Sequence, residues 1–157
     1  MNFFRLMVIT FFAISMFGCA ISSSKKGVPG VYSYKGDNNN GRITYKWPNG
    51  DVYEGGIKNN MMDGYGVMKY QDSSSYTGDF KAGKMCGKGT YKYSDGSKYI
   101  GEFANDMMNG KGKLTFANGD TYEGEFNNDQ MNGAGVFTYK SGTVVKGTFK
   151  DGQFVGK

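Results

Sequence analysis

Tyr122-Glu123-Gly124-Glu125-Phe126, followed by Gly133 and Gly135, is the stretch that decides the fold, because the chain repeats it. A shift of 23 residues superposes it on Gly101 and Phe103 with Gly110 and Gly112. A second shift reaches Gly78 and Phe80 with Gly87 and Gly89. The opening aromatic is Tyr53, Tyr76, Tyr99 and Tyr122, and the third residue is Gly55, Gly78, Gly101, Gly124 and Gly147. The fifth is Ile57, Phe80, Phe103, Phe126 and Phe149, and a methionine column runs through Met62, Met85, Met108 and Met131 to Phe154. Many independent columns in one register mean a repeat array in which each unit contacts mainly its neighbours. Inside a unit the apolar residues alternate by two, the period of a strand, rather than by the three and four of a helix.

Each unit therefore reads as a β-hairpin. Tyr122, Gly124 and Phe126 share one face of the first strand, with Glu123 and Glu125 on the other. Residues 127–132 are expected to form the reversing loop. In the second strand Gly133, Gly135, Phe137 and Tyr139 share a face. Between units, Asn49-Gly50, Asp95-Gly96, Asn118-Gly119 and Ser141-Gly142 supply pairs that tolerate the positive φ of tight hairpin turns. Ser73-Ser74-Ser75 lacks that glycine and predicts a looser turn. Glycine beside tyrosine predicts rings lying flat over the neighbouring backbone. With strands about 4.8 Å apart, each hairpin advances roughly 9–10 Å. The expected fold is all-β, an elongated single-sheet solenoid of consecutive antiparallel hairpins.

Composition narrows the chemistry. The chain has 157 residues, enough for one domain, with 26 glycines, 2 prolines and no histidine. Without histidine a Ser-His-Asp arrangement is impossible, and the commonest metal ligand is missing. Cys19 and Cys86 alone cannot make a zinc site. Gly64-Tyr65-Gly66 and its copies sit on a strand period, with no helix after them and no Gly-Lys-Ser/Thr ending, so no phosphate cradle is expected. Glu123 and Glu125 recur as decoration along a sheet and do not face each other across a cleft. No catalytic residue, metal or cofactor is expected. The net charge of +5 permits an anionic partner without specifying one. Acids interleave with the lysines and no recognition motif is present, which argues against nucleic acid.

The run Tyr-Glu-Gly-Glu-Phe, a spacer, then Gly-x-Gly resembles the MORN repeat. The resemblance covers residues 53–144 as four full repeats and 145–157 as a partial fifth. Residues 30–52 look like a degenerate first copy, in which Gly41, Tyr45, Trp47 and Gly50 fit while Tyr32 and Ile43 stand at glycine columns. The family implies a hairpin solenoid acting as a scaffold, oligomeriser or membrane-associated module. MORN repeats also precede the kinase domain of plant phosphatidylinositol phosphate kinases, but residues 30–157 hold no room for such a domain, so a lipid-kinase assignment is rejected.

Residues 1–18 read as an export signal. Arg5 gives a positive start, and residues 6–17 are apolar, shorter than the roughly 20 needed to span a bilayer as a helix. Ser15-Met16-Phe17-Gly18-Cys19 resembles the processing box of a bacterial lipoprotein; Gly18 and Cys19 fit, while Phe17 is bulkier than usual and Met16 replaces the common Leu. The resemblance implies lipidation of Cys19, which becomes the new N-terminus and anchors the chain to a membrane. The other reading is an ordinary cleaved signal with an incidental cysteine. Ala20, rather than Asp, implies the outer membrane in a Gram-negative cell. Residues 19–29 are small and polar, a flexible tether.

The remaining candidates lie on the sheet. Arg42, Lys46, Lys69, Lys88, Lys92, Lys111 and Lys113 face outward on second strands, with Glu54, Asp79, Glu102, Glu123 and Glu125 on first strands. They read either as a basic stripe for anionic phospholipid headgroups or an acidic partner, or as cross-strand charge pairs that keep a sheet soluble. The columns Tyr53, Tyr76, Tyr99 and Tyr122, with Tyr45, Tyr91 and Phe137, read as core or as the lining of a groove. Cys86 reads as an inert loop residue, a free thiol or an intermolecular bridge. The expected function is a non-enzymatic, envelope-anchored scaffold that binds an envelope protein or itself, with phospholipid binding through the lysines as the alternative.

Overall fold

The computed structural model describes residues 31–37 and 40–156, with side-chain surroundings from residue 41 onward. The expected signal peptide, Cys19 and the tether lie outside the described residues. Twelve strands form one open antiparallel sheet in sequence order. They are β1 (Val31–Asp37), β2 (Asn40–Lys46), β3 (Val52–Lys58), β4 (Met61–Lys69), β5 (Ser75–Lys81), β6 (Lys84–Lys92), β7 (Lys98–Ala104), β8 (Met107–Thr115), β9 (Thr121–Asn127), β10 (Gln130–Thr138), β11 (Val144–Lys150) and β12 (Gln153–Gly156). No helix occurs among the described residues.

A row of glycines crosses the sheet at one level. Gly55 pairs with Gly66, then Gly78, Gly89, Gly101, Gly112, Gly124, Gly135 and Gly147 in turn. The tyrosine of each repeat lies in the trough this row leaves. A β-carbon on Gly66 would sit 2.6 Å from the Tyr53 ring, and one on Gly101 would sit 2.6 Å from the Gly112 Cα. Tyr53, Tyr76, Tyr99 and Tyr122 are 0 % exposed. Each ring ends in a hydrogen bond: the hydroxyls of Tyr53, Tyr99 and Tyr122 donate to the carbonyls of Gly56, Glu102 and Glu125 at 2.7, 3.0 and 3.1 Å. The expectation of flat rings over glycine backbone holds.

Phenylalanines lock the tyrosines edge-on. Phe80 meets both Tyr53 and Tyr76, Phe103 meets Tyr76 and Tyr99, and Phe126 meets Tyr99 and Tyr122, all with centroids 4.9–5.2 Å apart and planes near perpendicular. This T-shaped geometry is the favoured one for rings and adds to plain burial. Each phenylalanine thus ties its own tyrosine to that of the preceding repeat. In the first, atypical copy position 30 is not tyrosine, and Ile43, buried at the glycine level opposite Gly55, fills the space.

The turns differ from the sequence reading in three ways. First, the reversal inside a repeat takes two residues, not the loop 127–132: Asn128 and Asp129 have φ of 47° and 66°, and β9 and β10 run up to them. Asn105 and Asp106 repeat this at 51° and 70°. Paired positive φ defines the type I′ turn, whose twist matches that of the strands. Second, in the turns between repeats only the glycine takes positive φ, as Gly96 does at 91°. Gly96 N–H donates to Tyr93 O and Tyr93 N–H to Ser97 O, which makes a three-residue loop closing in a glycine bulge. Third, the serine turn is not looser. Ser73 adopts φ of 73° and its N–H donates to Tyr70 O at 3.1 Å, as in the glycine copies. Asp72 holds it, accepting from the backbone N–H and hydroxyl of Ser74.

The second strand is nine residues where the first is seven, and a bulge absorbs the excess. Between the pairs Met131↔Phe126 and Gly135↔Gly124, β10 spends four residues against two on β9. The first glycine of each Gly-x-Gly sits inside this bulge with positive φ, 96° at Gly110 and 105° at Gly133. Before the bulge, the methionine opposite the phenylalanine of its own hairpin presents its backbone N–H and C=O to the next repeat, which satisfies them. Asp106 N–H donates to Met85 O while an Asp106 carboxylate oxygen accepts from Met85 N–H at 2.8 Å. Asp129 grips Met108 in the same two ways, the second at 2.7 Å. Gly83 and Gly152 make only the backbone half of the clamp, on Met62 and Met131.

Candidate functional site

The sheet has two unlike faces. The aromatic face is sealed: Tyr53, Gly55, Tyr76, Gly78, Phe80, Tyr99, Gly101, Phe103, Tyr122, Gly124 and Phe126 all contribute to it, and the tyrosines are fully buried. Burial pushes the hydroxyls of Tyr53, Tyr76 and Tyr99 well above the ordinary tyrosine range, so they donate and do not ionise. Tyr45, Tyr91 and Phe137 are half-buried against this core, meeting Trp47 edge-on and Tyr93 and Tyr139 at a tilt, with ring centroids 4.6, 4.6 and 4.8 Å apart. The groove alternative for these columns has no opening at the tyrosine level.

The other face carries the charged residues. Arg42, Lys46, Lys69, Lys88, Lys92, Lys111 and Lys113 are all exposed there, but the register separates them into three rows. Lys46, Lys69 and Lys92 share one row with Val52, Ser75, Lys98, Thr115, Thr121, Thr138 and Val144, and that row holds no acid. Lys113 stands in the next row, opposite Glu123 in the strand register. Arg42, Lys88 and Lys111 stand in a third, where Lys88 faces Glu102 and Lys111 faces Glu125. They do not make one stripe. Lys113 and Glu123 close to an ion pair of 3.4 Å, exposed on both sides and worth only a fraction of a kcal/mol. Glu102 and Glu125 instead fold over the bulge glycines Gly110 and Gly133 of the following strand.

Three lysines that the sequence reading passed over belong to this face. Lys81 and Lys84 sit opposite each other beside the type I′ turn of their repeat, and Lys98 sits opposite Lys92. Lys81 and Lys84 fall in the segment expected to be loop, and Lys98 at a turn end, so the signal that would have found them is the true length of β5 to β7. Cys86 is half-buried in an open, shallow depression with Lys81, Lys84 and Phe103. Burial and the nearby Asp79 carboxylate push its thiol above its ordinary pKa, away from thiolate chemistry. Among the described residues no group of His, Cys, Asp or Glu is placed to hold a metal ion.

The geometry defines a class first: a repeat-built single-layer β-sheet, sealed on one face and open on the other. The chain belongs to the MORN-repeat family, whose model matches residues 44–52, 53–75, 76–98, 99–121 and 122–144. No curated protein matches the chain. Among solved structures, one of the TCP domain of SAS-4 (dCPAP) from Drosophila melanogaster, in complex with a proline-rich motif of Ana2 (dSTIL), is similar at 10 % sequence identity. That match covers 78 % of this chain and 99 % of the other at a TM-score of 0.37, too low to equate the two folds.

Proposed function

We propose that this MORN-repeat chain is a non-enzymatic scaffold, held at the cell envelope through lipidated Cys19, whose open sheet face docks a partner protein or a second copy. The observation that supports it is the division of labour between faces. The recurring residues are consumed by the aromatic core, while the positions on the other face, such as Tyr65, Thr77, Ile100 and Glu123, differ from repeat to repeat. A rigid frame with variable outward positions is what repeat proteins use for recognition. Photo-crosslinking residues placed at 65, 77 and 100 in cells test it. Discrete products containing one protein, or a dimer of this chain, support the reading; a folded, exported chain that yields no product at any of the three sites overturns it. For the anchor, palmitate labelling is expected in the wild type and absent from Cys19→Ala, and equal labelling of both would rule out Cys19 as the lipidated residue.

The competing reading is a module that binds anionic phospholipid headgroups. The acid-free row of Lys46, Lys69, Lys92 and Lys98 is the observation in its favour. Flotation of the protein with vesicles containing anionic phospholipid decides it. Binding that weakens with added salt supports a headgroup mechanism, and no binding at low salt sinks it.

A further inference from the structure

One repeat carries a charge that its neighbours do not. The repeat 76–98 holds Lys81, Lys84, Lys88, Lys92 and Lys98 against Asp79 and Asp95, a net of +3. The repeats 53–75, 99–121 and 122–144 have nets of −1, −1 and −2. All five lysines lie on the open face. Three of them, Lys84, Lys88 and Lys92, are spread along the single strand β6, which has no acid of its own. The other two double its ends, Lys81 directly across from Lys84 and Lys98 directly across from Lys92.

Placing like charges opposite each other destabilises a sheet. The neighbouring repeats avoid it, setting Lys111 against Glu125 and Lys113 against Glu123. At the centre of the strip, the one acid opposite Lys88 is turned aside: the Glu102 carboxylate leans over Gly110. Asp79 likewise leans over Gly87. The repeat thus departs twice from the charge pattern of the sheet, at both ends of the same strand, and leaves its central lysine without its register partner.

We infer that the open face of this repeat, along β6, is a docking strip for an extended acidic segment of a partner protein; the inference rests on the scaffold reading above and names the partner's chemistry. Its shape fits a linear ligand. Nine residues of strand run roughly 25–30 Å, the length of about eight residues of extended peptide. A flat anionic bilayer fits worse. Laid on this face, it would meet the flanking repeats at the same time, and these carry net negative charge. On one side β5 sets the preceding hairpin about 10 Å from β6, close to the Debye length at physiological salt; on the other, the adjacent β7 brings one acid, Glu102, whose carboxylate leans away over Gly110, so a narrow segment meets mainly the lysines.

The test uses the full chain and a labelled octaglutamate peptide, with octaglutamine as the neutral control. Two triple variants each remove three positive charges from the same face: Lys84→Gln/Lys88→Gln/Lys92→Gln on the strip, and Lys111→Gln/Lys113→Gln/Lys146→Gln outside it. Circular dichroism checks that both remain folded. Octaglutamate is expected to bind the wild type at low salt, about tenfold more weakly to the strip variant, and within about twofold of wild type to the control variant. Equal loss in both variants, or no binding by wild type, overturns the inference. So does stronger binding to anionic vesicles that the strip variant leaves unchanged. A partner captured by crosslinking whose binding ignores the strip variant also overturns it, while leaving the scaffold reading standing.

Discussion

At the scale of single residues, glycine and tyrosine form one device. The ring needs a surface with no β-carbons, and the paired glycines need a cover. Gly101→Ala would place a methyl group against both the Tyr99 ring and the Gly112 backbone, neither of which is the free end of a flexible chain. Overpacking of this kind destabilises by about 1–3 kcal/mol, and urea denaturation of the variant is expected to show a loss in that range. Ser73 is the opposite case. It holds φ of 73°, a conformation for which its four counterparts use glycine. Left-handed backbone disfavours a residue with a side chain by about 1–2 kcal/mol, part of which glycine returns as lost flexibility. Ser73→Gly is therefore expected to stabilise the protein by roughly 0.5–1 kcal/mol. A thermal melt checks it, and a lowered midpoint would show that the Asp72 bonds to Ser74 depend on the serine.

At the scale of elements, two of the hairpin junctions are clamped by aspartates that reach back to the preceding repeat. Asp106 and Asp129 are half-buried; desolvation raises their pKa values, only partly offset by the backbone bonds from Met85 and Met108. The folded pKa of each lies above its value of 3.8 in the unfolded chain. Their contribution to stability is accordingly greatest below pH 3.8 and declines as pH rises through the folded pKa. Asparagine accepts the same N–H bond without the buried charge. Asp129→Asn is expected to raise the melting temperature at pH 7, with the difference from wild type shrinking as pH falls toward 3. A variant less stable than wild type at both pH values would mean that the charge itself strengthens the bond.

This junction was illegible in the sequence, while the core was plain. The columns of Tyr99, Gly101 and Phe103 recur along the array, with Ile57 and the terminal Val145 as the departures from residue 53 onward, because stacking permits little else, so counting columns finds them. The turns mislead because Asn, Asp and Gly suit several turn types, and Asn128-Asp129 looks like part of a longer loop. What distinguishes them is the two-residue excess of the second strand, hidden in a bulge that leaves the alternation of faces unchanged. The same excess concealed Lys81 and Lys84. Alternation by two assigns the charged residues to one face, but the rows within that face depend on the strand register, and the difference between repeat 76–98 and its neighbours emerges only when charges are placed on that register.

At the scale of the whole molecule, the repeat is the unit of length and the junction is the unit of stability. Removing residues 99–121 brings Lys98 to Tyr122 in the same register, and Phe126 then meets Tyr76 in place of Phe103. That deletion is expected to fold with a similar circular dichroism spectrum per residue and a lower melting temperature, since one nearest-neighbour interface is lost. A deletion of half that length exchanges first strands for second strands and is expected not to fold. Unfolding of the 23-residue deletion would mean that the array has a unique centre.

The strand order β1 to β12 contains no crossover. Every strand lies beside its neighbour in sequence, so tension applied to the two ends peels hairpins from the array one after another. Each peeled repeat releases roughly 75 Å of chain while giving up about 10 Å of folded length. Single-molecule pulling is expected to trace a staircase of equal extensions, and one abrupt rupture of the entire body would contradict it. A chain tethered at one end and gripped by a partner at the other would then behave as a graded extension spring, lengthening in fixed increments and re-zipping when the load falls.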